Sequence, residues 1–299
     1  MIETRLLTYF LAVAREQNIT KAAETLHITQ STLSKQMMDL EFQLGKSLFI
    51  RGKRKLTLTE EGLFLRNKAQ DILELIDNTE AAFHSQGRHL SGDITIGCGE
   101  TSAMSMIADE YAHFHQHYPD VRLHTYSGAA DLVMERLDKG LVDIGLLLGP
   151  VRQEKYDYLT LKQRDTYGLL MRDDCELAEQ RSIQVEQLKE LPLIIAEQTF
   201  SGHQILEGMG LDSMQIVGTY NLIYNAMFFV EKGIGAALCL DHLVNTEGRP
   251  LVFRPITPEL SLDLTLVTKK YQTFSPAVKV FLERLKIRIQ RTAENNEIG

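Results

Sequence analysis

Between residues 30 and 35 the chain gathers an amide, three hydroxyls and an ammonium, on Gln30, Ser31, Thr32, Ser34 and Lys35. Displayed on one exposed face, groups of these types hydrogen-bond base edges and phosphate oxygens. Further on, Arg51, Lys53, Arg54 and Lys55 surround Gly52. Either set alone is an ordinary solvated surface; close together they form an electrostatic footprint for a polyanion. The charge balance separates this stretch from the rest. The chain as a whole has a net charge of −8, but residues 1–59 hold nine Lys/Arg against five Asp/Glu, a net of +4. The remaining 240 residues therefore carry −12. A small basic module suited to phosphate contacts is joined to a large acidic one that a duplex repels.

The elements that must position these residues are legible in the hydrophobic periodicity. Leu6, Leu7, Phe10, Leu11, Val13 and Ala14 fall at helical spacing over about 3–16, and Asn18 to Thr20 break the pattern. Thr20 is expected to cap a short helix through Leu26, whose Ala22 and Ala23 allow close approach of a neighbour. A turn at His27, Ile28 and Thr29 follows, with Thr29 capping a helix from Gln30 to about Leu44 that buries Leu33, Met37, Leu40 and Leu44. Beyond Gly45, residues 48–51 and 56–59 read as a hairpin with a basic tip.

Thr59, Glu60 and Glu61 then open a long helix, because a hydroxyl cap and carboxylates suit the positive end of the helix dipole. Along it Leu65, Ala69, Ile72, Ile76, Thr79 and Phe83 alternate at four and three residues, a coiled-coil-like seam. Dimerisation through Leu65, Ala69, Ile72, Ile76 and Phe83 is the expectation; packing onto its own domain is the alternative.

At this point the sequence resembles the LysR family of transcriptional regulators. The DNA-binding signature of that family is matched by Ala22-Ala23, Leu26, Gln30, Leu33-Ser34, Leu40-Glu41, Leu44-Gly45, Leu48-Phe49 and Arg51, then by Leu58-Thr59 and Gly62. Ser31 and Met38 depart from it, standing where proline and a basic residue are frequent. The resemblance implies an all-α winged helix-turn-helix at 1–59, with Gln30, Ser31, Thr32, Ser34, Lys35, Arg51, Lys53, Arg54 and Lys55 on double-stranded DNA, and a linker and dimerisation helix at 60–88. It further implies an α/β effector domain at 91–299 with the two-lobed, type 2 fold of periplasmic binding proteins, and a homodimer that assembles to a homotetramer. Lobe 1 would comprise about 91–162 and 265–299, lobe 2 about 163–264.

The residues of the C-terminal region support this independently. After a hinge at Gly87 to Gly92, apolar strands alternate with helices: 93–96, a helix to Tyr118, 121–126, another helix, and 143–148. That βαβαβ order implies a parallel sheet with right-handed crossovers. A second unit runs from about Tyr167 to Leu240, and strand-like Leu262 to Val267 with a helix from Pro276 to about Arg291 return to the first. In such sheets ligands lie beyond the carboxyl ends of strands, which nominates Gly99, Thr101, Ser102, Ser127, Gly128, Leu148, Gln198, Thr199 and Phe200 for a small effector. Thr101 and Ser102, at a helix start, favour an anionic metabolite.

Other chemistry is weaker. Gly97-Cys98-Gly99 begins a dinucleotide fingerprint, but Ser102 occupies the third glycine position. Asp109, His113, His115 and His117 lie on one helix with no further ligand to close a metal site. Cys98, Cys175 and Cys239 form no C-x-x-C pair and read as small buried hydrophobes, with redox sensing at Cys98 a minor alternative. No nucleophile elbow or phosphate-cradling G-x-x-x-x-G-K occurs, and no apolar run reaches the roughly 18 residues of a membrane span. The expectation is a cytoplasmic regulator, not an enzyme, with no cofactor, metal or membrane partner. A ligand-binding protein or enzyme whose N-terminal domain serves assembly is the competing class.

Overall fold

The computed structural model describes residues 2–52, 55–84, 90–149, 151, 154–197 and 214–295, and the chain divides into two compact units, residues 1–84 and 85–299.

In the N-terminal unit α1 (Thr4–Glu16), α2 (Ile19–Thr25) and α3 (Gln30–Leu44) precede a hairpin of β1 (Phe49–Arg51) and β2 (Leu56–Leu58), and α4 (Glu60–His84) follows. Their common core contains Phe10, Val13, Ala22, Leu33, Met37 and Leu40, all essentially buried, with Leu44 only partly so. The α2 cap differs from expectation. Asn18 performs it, its Oδ1 accepting from the amides of Thr20 at 2.9 Å and Lys21 at 3.1 Å, so the helix starts at Ile19. A single amide oxygen that satisfies two unpaired amides outcompetes the hydroxyl two residues later. Thr29 caps α3 as its position suggests, accepting from the Thr32 amide at 3.2 Å. Gly45, at φ 64°, ends that helix in the left-handed conformation.

In the C-terminal unit β3 (Gly92–Cys98), α5 (Met104–His117), β4 (Val121–Ser127), α6 (Ala130–Lys139) and β5 (Ile144–Leu148) form the expected βαβαβ unit. The chain continues through β6 (Tyr156–Arg172), β7 (Ile183–Gln184), β8 (Pro192–Ala196), β9 (Gln215–Tyr220), α7 (Ile223–Glu231) and β10 (Ala236–Leu240). It closes with β11 (Leu251–Thr257), β12 (Ser261–Lys269) and α8 (Pro276–Asn295). The strand order is β4-β3-β5-β12-β6-β10-β8-β9, with β11 beside β6 and β7.

The first βαβαβ unit is parallel as expected, and the sheet as a whole is mixed. β3, β4 and β5 pair in parallel, as do β8, β9 and β10, but β6 and β12 run antiparallel to their neighbours between these groups. β6 belongs to both lobes. Tyr156 to Thr160 pair with Lys269 to Thr265, Arg164 to Thr166 with Asp263 to Ser261, and Tyr167 to Leu170 with β10. Neither this seventeen-residue strand nor β11 is anticipated from sequence. The exposed Lys162-Gln163-Arg164 interrupts the apolar alternation of β6 where it passes between lobes. Separate cores flank this passage, one around Ile96, Phe114 and Phe281, the other around Leu169, Leu193 and Leu238. Glu110 of α5 ties α8 down, accepting from Arg284 at 2.6 Å and Arg288 at 3.4 Å.

Candidate nucleic-acid interface and ligand cleft

On α3 the buried stripe fixes what faces outward. Gln30, Ser31, Thr32 and Lys35 are exposed and Ser34 is partly so. The Thr29 hydroxyl lies 3.1 Å from that of Ser31 and 2.8 Å from that of Thr32, so the first turn carries a knot of hydroxyls at the positive end of the helix. The hairpin is fastened to the same helix. Glu41 Oε1 accepts from the amides of Leu48 at 2.7 Å and Phe49 at 3.3 Å, and the Leu56 amide donates to the Gln17 carbonyl at 3.0 Å. Gly52 closes the turn onto the Lys55 carbonyl at 3.1 Å. Lys55 is exposed, Arg51 ends β1, and Lys53, Arg54 and the Arg51 side chain lie outside the described residues. Sequence spacing did not identify Glu41 or Gln17 as the wing's anchors, since a bond across seven residues has no helical or strand period.

The long helix α4 is anchored at its start. The Thr59 hydroxyl accepts from the Gly62 amide at 2.9 Å and donates to the Ser47 carbonyl at 2.8 Å. A Cβ on Gly62 would lie 2.2 Å from the Leu48 carbonyl oxygen, so only glycine fits. The Glu61 carboxyl is held below its usual range by its own main-chain amide and by Lys46 at 3.4 Å. The expected dimer seam divides. Leu65 and Ala69 are buried in the core of their own unit, which corrects their assignment to a partner helix. Ile72 and Leu75 are each 43% exposed and Ile76 is partly buried. Phe83 lies on the helix with its side chain outside the described residues.

In the C-terminal unit the described loops after β3, β4 and β5 lie side by side. The Gly128 amide donates to the Cys98 carbonyl at 2.9 Å, joining the ends of β3 and β4 where Gly99 and Ser127 stand. Leu148, partly buried, packs against the cores of both lobes. Thr101 is buried and its hydroxyl accepts from the Ala103 amide at 3.1 Å. Ser102 donates to Asp165 Oδ1 at 3.0 Å and accepts from Gln163 Nε2 at 3.0 Å. Glu100 reaches the other lobe, its Oε2 accepting from the Ile223 amide at 2.8 Å and so capping α7. Burial raises the Glu100 pKa, with the Ile223 amide opposing. Gln198, Thr199 and Phe200 lie outside the described residues.

Residues 4–63 match the bacterial regulatory helix-turn-helix proteins of the lysR family, and residues 87–290 match the LysR substrate binding domain. The chain belongs to the LysR family. It is a LysR-type DNA-binding transcriptional regulator with a substrate-binding domain. The Hca operon transcriptional activator HcaR of Escherichia coli is 29% identical over 296 residues, 96% of this chain and 98% of that one. A further regulator, YvbU of Bacillus subtilis, is 27% identical over 94% of this chain and 96% of its own. Among solved structures, full-length CbnR in complex with its target DNA superposes with a TM-score of 0.77 at 18% identity, covering 96% of this chain and all of CbnR.

At the helix start expected to favour an anion, the Thr101 hydroxyl accepts from the Ala103 amide of its own turn and the Ser102 hydroxyl donates to the Asp165 carboxylate. The Cys98 thiol is buried and desolvation pushes its pKa up, the reverse of an activated thiolate. His113 and His117 turn a ring nitrogen back to main-chain carbonyls at 2.8 and 2.9 Å, and no group of three or more metal-ligating side chains occurs among the described residues. No helix among them is long and apolar enough to cross a membrane.

Proposed function

We propose that this cytoplasmic regulator reads DNA with the exposed start of α3, grips phosphates with the β1–β2 hairpin, and alters its hold when a small molecule enters between the lobes of the C-terminal unit. The observation that carries this reading is the tie between the two DNA-contacting parts. Through Glu41 the helix is tied to the main chain at the start of the hairpin, which supports a fixed spacing between α3 and β1. Gln30, Ser31, Thr32, Ser34 and Lys35 would face the major groove, and Arg51, Lys53, Arg54 and Lys55 the flanking backbone. Two copies joined along the outward face of α4, through Ile72, Ile76, Phe83 and the adjacent Leu75, would present two such pieces to a two-fold related site. Pairs of dimers would then hold two DNA segments, and Gly99, Ser127, Gly128, Leu148, Gln198, Thr199 and Phe200 would help enclose the effector. The structure of full-length CbnR complexed with its target DNA is consistent with such use of the fold.

A gel shift with the intergenic DNA beside the protein's own gene, repeated at rising salt, tests the reading. Binding should weaken steeply with salt, and Gln30→Ala should lose sequence preference. Salt-independent binding, or none, overturns it. Ile72→Glu should convert the dimer to monomer and lower operator affinity; a stable dimer with unchanged affinity removes the α4 interface.

A further inference from the structure

Asp165 is 3% exposed, yet only one of its carboxylate oxygens is used. Oδ1 accepts from Ser102, whereas Oδ2 is buried with no hydrogen-bond partner. The donor order around it is fixed. Gln163 Nε2 can only donate, so Ser102 accepts from it and must send its own proton to Asp165. This chain Gln163 → Ser102 → Asp165 lies where the loop after β3 meets the passage of β6 between the lobes, and it ends on the unpaired lone pairs of a buried oxygen.

Buried carboxylate oxygens without a donor are costly, and a donor from a ligand, an ion or an ordered water relieves that cost. Among the described residues no Lys or Arg pairs with Asp165; the adjacent Arg164 is engaged with Asp263 at 2.9 Å. A second acidic group stands nearby. Glu100, two residues before Ser102, occupies the amide at the start of α7, the place where an incoming carboxylate or phosphate would have found a partner. An anionic ligand here would meet two carboxylates and a helix start already filled. A hydroxyl or amide donor would satisfy Oδ2 but leave the buried charge uncompensated; a protonated nitrogen does both.

We infer that the inter-lobe cleft takes a small ligand carrying an ammonium, amidinium or guanidinium group, which donates to Asp165 Oδ2. This deepens the reading of the C-terminal unit as a small-molecule sensor and rests on it. Asp165, Ser102 and Gln163 thereby become the residues that set ligand class.

The test uses the full-length protein and a cell extract of small molecules, divided at neutral pH into fractions retained by a cation exchanger, retained by an anion exchanger, and unretained. The cation-retained fraction should raise the Tm, and Asp165→Asn should require about tenfold more of it for the same shift, as expected for loss of one charge-assisted hydrogen bond. Ser102→Ala, which frees the carboxylate to turn, should weaken the response less. Without ligand, Asp165→Asn should leave the Tm unchanged or higher, since a neutral amide replaces an uncompensated charge. A lower unliganded Tm would mark Asp165 as a structural residue and overturn the inference. So would stabilisation by the anion-retained or unretained fraction, or a cation response undiminished in Asp165→Asn; any of these outcomes leaves the sensor reading standing. If no fraction stabilises the protein, the sensor reading and the inference fall together.

Discussion

The two units solve recognition in opposite ways. In the N-terminal unit the polar groups that matter come from consecutive residues, Gln30 to Lys35, and point outward from a helix whose other side is packed. In the C-terminal unit they come from positions 63 and 123 residues apart, as in Ser102 with Asp165 and Glu100 with Ile223, and are turned inward against each other. The helix-turn-helix and hairpin of the first unit, residues 1–59, are basic and their target is a polymer of regular shape, so display suffices. The second is acidic and must enclose something small, so its groups are desolvated, and their protonation and pairing become part of stability. A surface reader can thus be built from one segment, while an enclosing site has to be assembled from several.

The sharpest way to separate the two units is to unfold one and spare the other. Gly62→Ala drives a Cβ to within 2.2 Å of the Leu48 carbonyl oxygen, and Gly168→Ala drives one to within 2.1 Å of the Phe253 ring. Each should cost roughly 3 kcal/mol or more by overpacking. In calorimetry Gly62→Ala should lower the N-terminal transition and Gly168→Ala the C-terminal one; a shared drop in both would break the comparison. Next in size is a pH effect confined to the enclosed unit. Asp143 accepts from the Thr95 amide at 2.8 Å, and burial raises its pKa from 3.8 to about 6, with nearby Asp93 adding to the shift. A pKa raised by folding means the charged form is the disfavoured one. The group's contribution is therefore fully favourable below about pH 4 and lost as pH rises through 6. Asp143→Asn should stabilise the C-terminal transition by up to roughly 2 kcal/mol at pH 8, a gain that fades by pH 4. Equal stabilisation at both pH values would refute the cause given.

Smaller still is the wing tether. Glu41→Ala leaves the Leu48 and Phe49 amides without their acceptor and should cost about 1 to 2 kcal/mol in the N-terminal transition, with weaker DNA binding. The least effect falls on a single displayed cation. Lys35→Ala should lower DNA affinity about fivefold at moderate salt and flatten the salt dependence by about one counterion, leaving both transitions in place.

Legibility followed the same division. Thr29 as a cap, Leu33, Met37 and Leu40 as a buried stripe, and Thr59 as the start of α4 were all readable, because each depends on neighbours within one or two turns. The Asn18 cap was misplaced by two residues, since the sequence offers two good oxygens and only geometry shows which meets the amides. Heptad spacing revealed that Leu65 and Ala69 would be covered, but not that α1 of the same chain would cover them. In the C-terminal unit the strands before each nominated loop were readable from alternation, and β6 was not, its polar middle erasing the pattern. Glu100, Gln163 and Asp165 carry no local signature at all. Their roles exist only once the two lobes are placed side by side.

β6 and β12 pass between the lobes as a hydrogen-bonded pair with a register irregularity between Asp263 and Thr265. A ribbon of this kind can bend and twist, and a bulge makes it easier, but sliding one strand past the other would turn every side chain to the wrong face. The lobes are thus free to change their angle and not their offset. A rotation of limited arc is the rearrangement this pairing leaves available, and substitutions in the surrounding loops would leave that axle in place.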